Sequence, residues 1–176
     1  HMDSFGASIG GVHFEGRYLN PKKRGAHNIE LLAPLDENEL AGLLERAKPM
    51  PVHITAAVEL DNGEAFTKKA VSMGATVGLG HTEATMDEAR KAVEWGVSSF
   101  THTFNAMSPI HHRNPGTMLA SLLLDSAWSE IICDGFHVCP DMVNLLHREK
   151  PEGKLVLISD SMSATGCPDG DGYSIA

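Results

Sequence analysis

Six short β-prone runs in this chain each end at or beside a charged or imidazole side chain, and helical stretches separate them. The polar residues at those ends are Glu15, Glu59, His81, His102, Asp134 and Asp160. The runs cover Ser8–Glu15, Val52–Val58, Thr76–Gly80, Val97–His102, Glu130–Asp134 and Leu155–Asp160. Apolar residues at helical spacing predict helices over Leu35–Lys48, Asn62–Met73, Thr85–Trp95, Pro115–Leu124 and Pro140–Glu149. Asp36 is placed to cap the first helix, and Gly74 and Gly96 to end the second and third. Gly16–Leu32 reads as a polar loop with a basic cluster, Lys22, Lys23 and Arg24. Ala164–Ala176 reads as glycine-rich loop.

Strands and helices that alternate in this way, with near-continuous apolar strands, predict a parallel sheet covered by helices. A doubly wound sheet gathers its site at one switch point. Here polar residues close strand after strand, which is the pattern of the active face of a (β/α)8 TIM-type barrel. The expected fold is therefore α/β, a (β/α)8 barrel of which about six βα units are present. Residues 3–176 form one domain, with no internal repeat or linker, and His1-Met2 reads as an expression remnant. A barrel short of two strands has open edges, which favour pairing with another chain. A homodimer or larger assembly is the expectation.

Fourteen basic and 23 acidic residues give a net charge of −9. No nucleic-acid partner is expected of so acidic a chain. An anionic small molecule still fits, because a few local cations suffice for a phosphate. Three cysteines without a CxxC pair point to a reducing, cytoplasmic compartment and to packing roles. No apolar run reaches the roughly 20 residues of a membrane helix, so no membrane partner is expected, and no signal peptide is read at the start.

His81 and His102 end consecutive strands, so in a parallel sheet they face one space. That arrangement suits a metal ion. A lone histidine at a strand end more often satisfies local hydrogen bonds. The loop after His102 adds Asn105, His111, His112 and Arg113.

Five longer motifs then become recognisable: VHFEGRYLNPKKRGAH over Val12–His27, GHTEAT over Gly80–Thr85, THTFNAM over Thr101–Met107 followed by HRNPG over His112–Gly116, ICDGFHV over Ile132–Val138, and SDSMSATG over Ser159–Gly166. Jointly they resemble the N-acetylglucosamine-6-phosphate deacetylase family of the amidohydrolase superfamily, from about Gly11 to Gly170. The resemblance implies that the six strands are the third to eighth of the barrel, with the first two strands, the last helix and a β-sandwich domain lying elsewhere. It implies one divalent metal ion per chain held by Glu15, His81 and His102. Nitrogen and oxygen ligands suit zinc foremost, and also iron or another first-row ion. It makes Asp160 the general base toward water and then the general acid toward the departing amine. His137 would hydrogen-bond the substrate near its reacting carbonyl and steady the oxyanion. His27, Asn105, Ala106 and Arg113 would hold the sugar phosphate, with Asn105 and Ala106 acting partly through backbone amides. Asp134 would orient its own loop. The implied reaction is hydrolysis of the N-acetyl group of N-acetylglucosamine 6-phosphate to glucosamine 6-phosphate and acetate. Arg17 and Thr103 depart from the family pattern, where proline and leucine are usual. Arg17 lies near Glu15 in sequence and leaves open an epimeric substrate such as N-acetylgalactosamine 6-phosphate. The missing strands leave open a chain that binds metal or sugar phosphate without turnover.

Overall fold

A computed structural model describes residues 8–168 together with Gly170 and Gly172. The described chain runs β1 (Val12–Phe14), α1 (Glu37–Ala47), β2 (Val52–Ala56), α2 (Gly63–Ser72), β3 (Thr76–Leu79), α3 (Met86–Trp95), β4 (Val97–Phe100), α4 (Thr117–Leu123), β5 (Trp128–Ile132), α5 (Pro140–Glu149) and β6 (Leu155–Ile158). The six strands form one sheet in sequence order, β1 to β6, with every pairing parallel. The sheet curls into a half-barrel with the helices outside it, as the αβ alternation requires.

Packing decides which strand residues face out. Ile54, Val77, Leu79 and Phe100 form one buried cluster with Leu40 and Leu44 of α1, Phe66 and Ala70 of α2, and Ala89 and Ala92 of α3. A smaller cluster joins Ile131 to Leu122 and Leu146, between β5, α4 and α5. The helices begin where their caps dictate. The Asp36 carboxylate accepts from the Asn38 and Glu39 amides. Thr85 and Glu88 form a reciprocal capping box, which fixes the start of α3 five residues after His81.

The structure departs from the sequence reading at five places. β1 has three residues rather than eight, since it is a sheet edge with β2 as its neighbour. Gly16–Leu32 is more than a polar loop: it holds two 3-10 turns, Pro21–Lys23 and Ile29–Leu31, and it buries Tyr18, Leu19 and Asn20. Tyr18 packs edge-on against Phe66, ring centroids 4.8 Å apart. β5 starts two residues early, at Trp128. The inward strand positions are polar, not apolar: Thr55, Ser99, Thr101 and Glu130 are buried there and bonded to one another or to histidines. Cys133, Cys139 and Cys167 are exposed thiols and not packing residues. His1 and Met2, and part of the loop expected over Ala164–Ala176, lie outside the described residues. No helix among the described residues is long and apolar enough to cross a membrane.

Candidate metal centre

The strand ends converge as the parallel topology demands. Glu15 follows β1, His81 follows β3 and His102 follows β4. Glu15 Oε1 lies 2.8 Å from His81 Nε2 and 3.1 Å from His102 Nε2, and the two Nε2 atoms are 3.0 Å apart. His81 and His102 are buried, and Glu15 is half-buried.

The backbone here is not ordinary strand. His81 has φ 47°, His102 φ 33° and Asp160 φ 49°, the left-handed region that non-glycine residues seldom occupy. A positive φ thus recurs just after β3, β4 and β6, and after β3 and β4 it accompanies a buried imidazole. Strain of this kind persists only where the surrounding structure enforces it, and it gathers at functional sites. The loops beyond the two histidines are laced together. The Thr82 amide donates to the Ala106 carbonyl at 3.0 Å, and Thr82 pairs with Met107 in a parallel bridge.

His81 Nδ1 donates to the Lys23 carbonyl at 2.6 Å. A carbonyl can only accept, so the proton of a neutral His81 sits on Nδ1 and the Nε2 lone pair faces Glu15 and His102. Three electron-rich atoms about 3 Å apart repel one another unless a proton or a cation lies among them. A tetrahedral ion with bonds of about 2.0–2.1 Å separates its ligands by roughly 3.3 Å, close to this spacing. The three residues thus fit a divalent metal ion. His102 Nδ1 is buried without a hydrogen-bond partner among the described residues.

Electrostatics agree with that density of ligands. Burial pushes the Glu15 carboxyl up, but the hydrogen bonds and charge that His102 and His81 offer when protonated outweigh it, so it falls well below its usual 4.5. Burial pushes His102 down, but the hydrogen bond and charge of Glu15, aided by Asp160, carry it above 6.5. A metal displaces that proton, since its ligand is the neutral imidazole. The expected result is that apparent Co²⁺ or Zn²⁺ affinity climbs as pH rises through 6.5 and beyond, up to the raised His102 value, and weakens below it. Calorimetric titrations at several pH values measure it, and a pH-independent affinity would contradict it.

The other candidate residues fall into three groups. Asp160 and His137 line one cavity with Ile132, Asp134 and Ser159. His137 is exposed, and its Nδ1 lies 2.6 Å from Asp134 Oδ2. Asp134 Oδ1 accepts from the Phe136 and His137 amides, and these backbone bonds hold the Asp134 carboxyl down at about 2. Asp134 therefore orients its loop, as expected, and aims the His137 ring. His27 stands against the ligand set itself, its Nε2 3.6 Å from Glu15 Oε1 and its ring edge-on to His81 at 4.9 Å. Asn105, Ala106 and Arg113 lie in the loops after β4. The Asn105 amide donates to the His102 carbonyl at 3.0 Å, inside the turn that follows β4. Ala106 has φ 50° and Phe104 φ 81°. Arg113 is exposed and forms no ion pair among the described residues. Arg17 turns away from Glu15: its Nε donates to Glu39 Oε1 at 2.6 Å and its Nη1 to the Leu31 carbonyl at 3.3 Å. It ties the loop to α1. Thr103 is buried and its amide donates to the Glu130 carbonyl at 2.7 Å.

Glu59 was visible in the sequence as a strand-end carboxylate but had no role there. It accepts from Asn20 Nδ2 at 2.9 Å, Thr82 Oγ1 at 2.7 Å and the Glu83 amide at 2.9 Å. It joins the loop after β1 to the loop after β3, on both sides of His81. Glu59→Ala strands the buried Asn20 amide and Thr82 hydroxyl, and the expected loss of stability is about 2–4 kcal/mol. Glu59→Gln is expected to lose less, because its amide oxygen still accepts. Denaturant melts of both variants measure it; an unchanged midpoint for Glu59→Ala would refute it.

Comparison with known proteins bears on what the site belongs to. No family model matches the chain. An N-acetylglucosamine-6-phosphate deacetylase of Danio rerio is 36% identical over 173 residues, covering 94% of this chain and 42% of that protein. The chain is a homologue of the N-acetylglucosamine-6-phosphate deacetylases. It spans about two-fifths of the length of the curated deacetylases it matches. An N-acetylgalactosamine-6-phosphate deacetylase of Escherichia coli O157:H7 is 35% identical, over 94% of this chain and 44% of that protein. The crystal structure of the Mycobacterium smegmatis N-acetyl-D-glucosamine-6-phosphate deacetylase superposes with a TM-score of 0.88 at 36% identity, over 92% of this chain and 43% of that one. A point mutant of that deacetylase has been solved in complex with N-acetyl-D-glucosamine-6-phosphate. These relatives share the six-stranded half-barrel as part of a longer fold, consistent with a segment of a TIM-type barrel.

Proposed function

We propose that this chain forms the metal-binding part of a deacetylase that hydrolyses the N-acetyl group of N-acetylglucosamine 6-phosphate, giving glucosamine 6-phosphate and acetate. The observation that carries this reading is the convergence of Glu15 Oε1, His81 Nε2 and His102 Nε2 on one point at the ends of three strands. Glu15, His81 and His102 would hold one divalent ion per chain, zinc foremost, with iron or another first-row ion also compatible with these donors. When bound, that ion supplies Lewis acidity toward the acyl carbonyl and makes water a better nucleophile.

The chain's own residues do the rest. Asp160 takes a proton from the attacking water at its carboxylate and returns it to the nitrogen of the leaving amine. His137, held at Nδ1 by Asp134, offers Nε2 to the carbonyl oxygen as negative charge develops there. His27, Asn105, Ala106 and Arg113 bind and orient the sugar phosphate. Backbone of alternating hand at Phe104 and Ala106 favours an anion-binding concavity, and the exposed Arg113 guanidinium suits a bidentate phosphate contact. A coupled assay of acetate release from N-acetylglucosamine 6-phosphate tests the reading, and metal-loaded protein with no release would overturn it.

The relative that acts on N-acetylgalactosamine 6-phosphate supports a second substrate reading, which a comparison of kcat/KM for the two epimers separates. Because the chain spans two-fifths of its relatives, binding of metal or sugar phosphate without turnover is the third reading; turnover by the chain that Asp160→Asn removes would exclude it. We place the chain in a reducing cytoplasm, which its three free thiols support. Self-association follows from the open β1 and β6 edges, so a homodimer or larger species is expected in light scattering, and a monomer at micromolar concentration would count against it.

A further inference from the structure

Beneath the ligand set, the inward face of the half-barrel carries a polar ladder that the reading above does not use. His13 Nε2 on β1 lies 2.7 Å from Thr55 Oγ1 on β2. Thr55 Oγ1 lies 2.8 Å from Thr101 Oγ1, at the end of β4. Both threonines are 1% exposed. Barrel interiors are ordinarily filled by branched apolar side chains, and a buried hydroxyl is costly unless it is hydrogen-bonded.

The bond from Thr55 to Thr101 must pass over β3, which lies between their strands. Two glycines of β3 and its end leave the room. A Cβ on Gly80 would meet Thr101 Cβ at 2.7 Å and Thr55 Cγ2 at 2.9 Å. A Cβ on Gly78 would meet Thr101 Oγ1 at 2.5 Å. A side chain at either position would part the ladder. The ladder's ends stand next to metal ligands. His13 is two residues before Glu15, which follows β1, and Thr101 immediately precedes His102.

Resting on the metal reading above, we propose that Thr55 is a positioning residue for the metal centre. Its hydroxyl, bonded to both His13 and Thr101, ties the end of β1 to the end of β4 and sets the 3.1 Å spacing of Glu15 Oε1 and His102 Nε2. β1 and β4 are not neighbours in the sheet, so no ladder of backbone hydrogen bonds fixes that spacing. Backbone links them only through β2 and β3, whereas the bonds through Thr55 span the interior directly. Removing a hydrogen-bond partner that orients metal ligands typically weakens metal affinity about 10–100-fold.

The test is a Co²⁺ titration of the full chain, followed by its visible absorption band and by calorimetry. Thr55→Val keeps the shape and removes the hydroxyl; Thr55→Ser keeps the hydroxyl. Thr55→Val is expected to weaken Co²⁺ binding about 10–100-fold and to shift the absorption band, while Thr55→Ser keeps the wild-type spectrum and an affinity close to wild type. Thr55→Ala, which introduces no new contact, serves the same purpose if Thr55→Val folds poorly. Wild-type affinity and spectrum in both hydroxyl-free variants would overturn the proposal, as would equal losses in Thr55→Ser and Thr55→Val. A wild-type chain that binds no Co²⁺ would instead overturn the metal reading, and this one with it.

Discussion

Replacing His81 and His102 together by alanine is expected to reduce the metal content of the purified chain from about one ion per chain to background. The geometry sets the size of the effect. Glu15 Oε1 and the two Nε2 atoms lie within 3.1 Å of one another, so the double variant removes two of the three donors. A single carboxylate left behind is an ordinary weak site, since a closed set of nitrogen and oxygen donors is what confers affinity for a first-row ion. The folded chain is expected to survive, because the sheet bonds, the Glu59 network and the α3 capping box do not involve either ring. Elemental analysis of both proteins decides the matter. Metal retained by the double variant would move the site elsewhere. No metal in the wild-type chain would mean that this segment does not assemble the site without the remainder of the barrel.

Asp160→Asn is expected to lower deacetylation by a factor of about 10²–10⁴, the usual contribution of a positioned general acid–base group, with metal content unchanged. The substitution keeps size and hydrogen bonding while removing the proton acceptor. Asp160 is outside the Glu15, His81 and His102 donor set, yet its charge is felt at His102 and it shares a cavity with His137. On the proposed reading Asp160 is the proton carrier and not a fourth ligand. Acetate release measured alongside metal content separates the two. Loss of metal in Asp160→Asn would make it a ligand, and undiminished turnover would remove it from the chemistry.

Much of the site was legible in the order of the residues. His81 and His102 end consecutive strands, and parallel pairing puts such ends side by side whatever the details of packing. The same logic reached Glu15 and Asp160. Other features were invisible for a physical reason. The left-handed backbone of His81, His102 and Asp160 is imposed by tertiary contacts, since the local preference of these residues is against it. The carbonyl that fixes the His81 proton belongs to Lys23, 58 positions away, and a carbonyl leaves no mark in a sequence. Arg17 looked adjacent to Glu15 and was read as a possible specificity residue; Gly16 between them, at φ 120°, turns the chain, and Arg17 bonds Glu39 of α1.

The polar barrel interior is the instructive miss. His13 and Glu15, His53 and Thr55, and Ser99 and Thr101 alternate with apolar neighbours at the strand period, so the signal was present. It was masked by the expectation that parallel strands are apolar throughout. By itself, the sequence determined the α/β class, the strand order and the set of residues at the strand ends, because each depends on short-range periodicity and on chain connectivity. Only the tertiary structure decided which atoms meet: the spacing of three ligand atoms, the tautomer of His81, the role of Glu59 and the crossing of Thr55 to Thr101 over two glycines. Those depend on distances between segments far apart in the chain, which are set when the sheet curls and the helices close on its outer face.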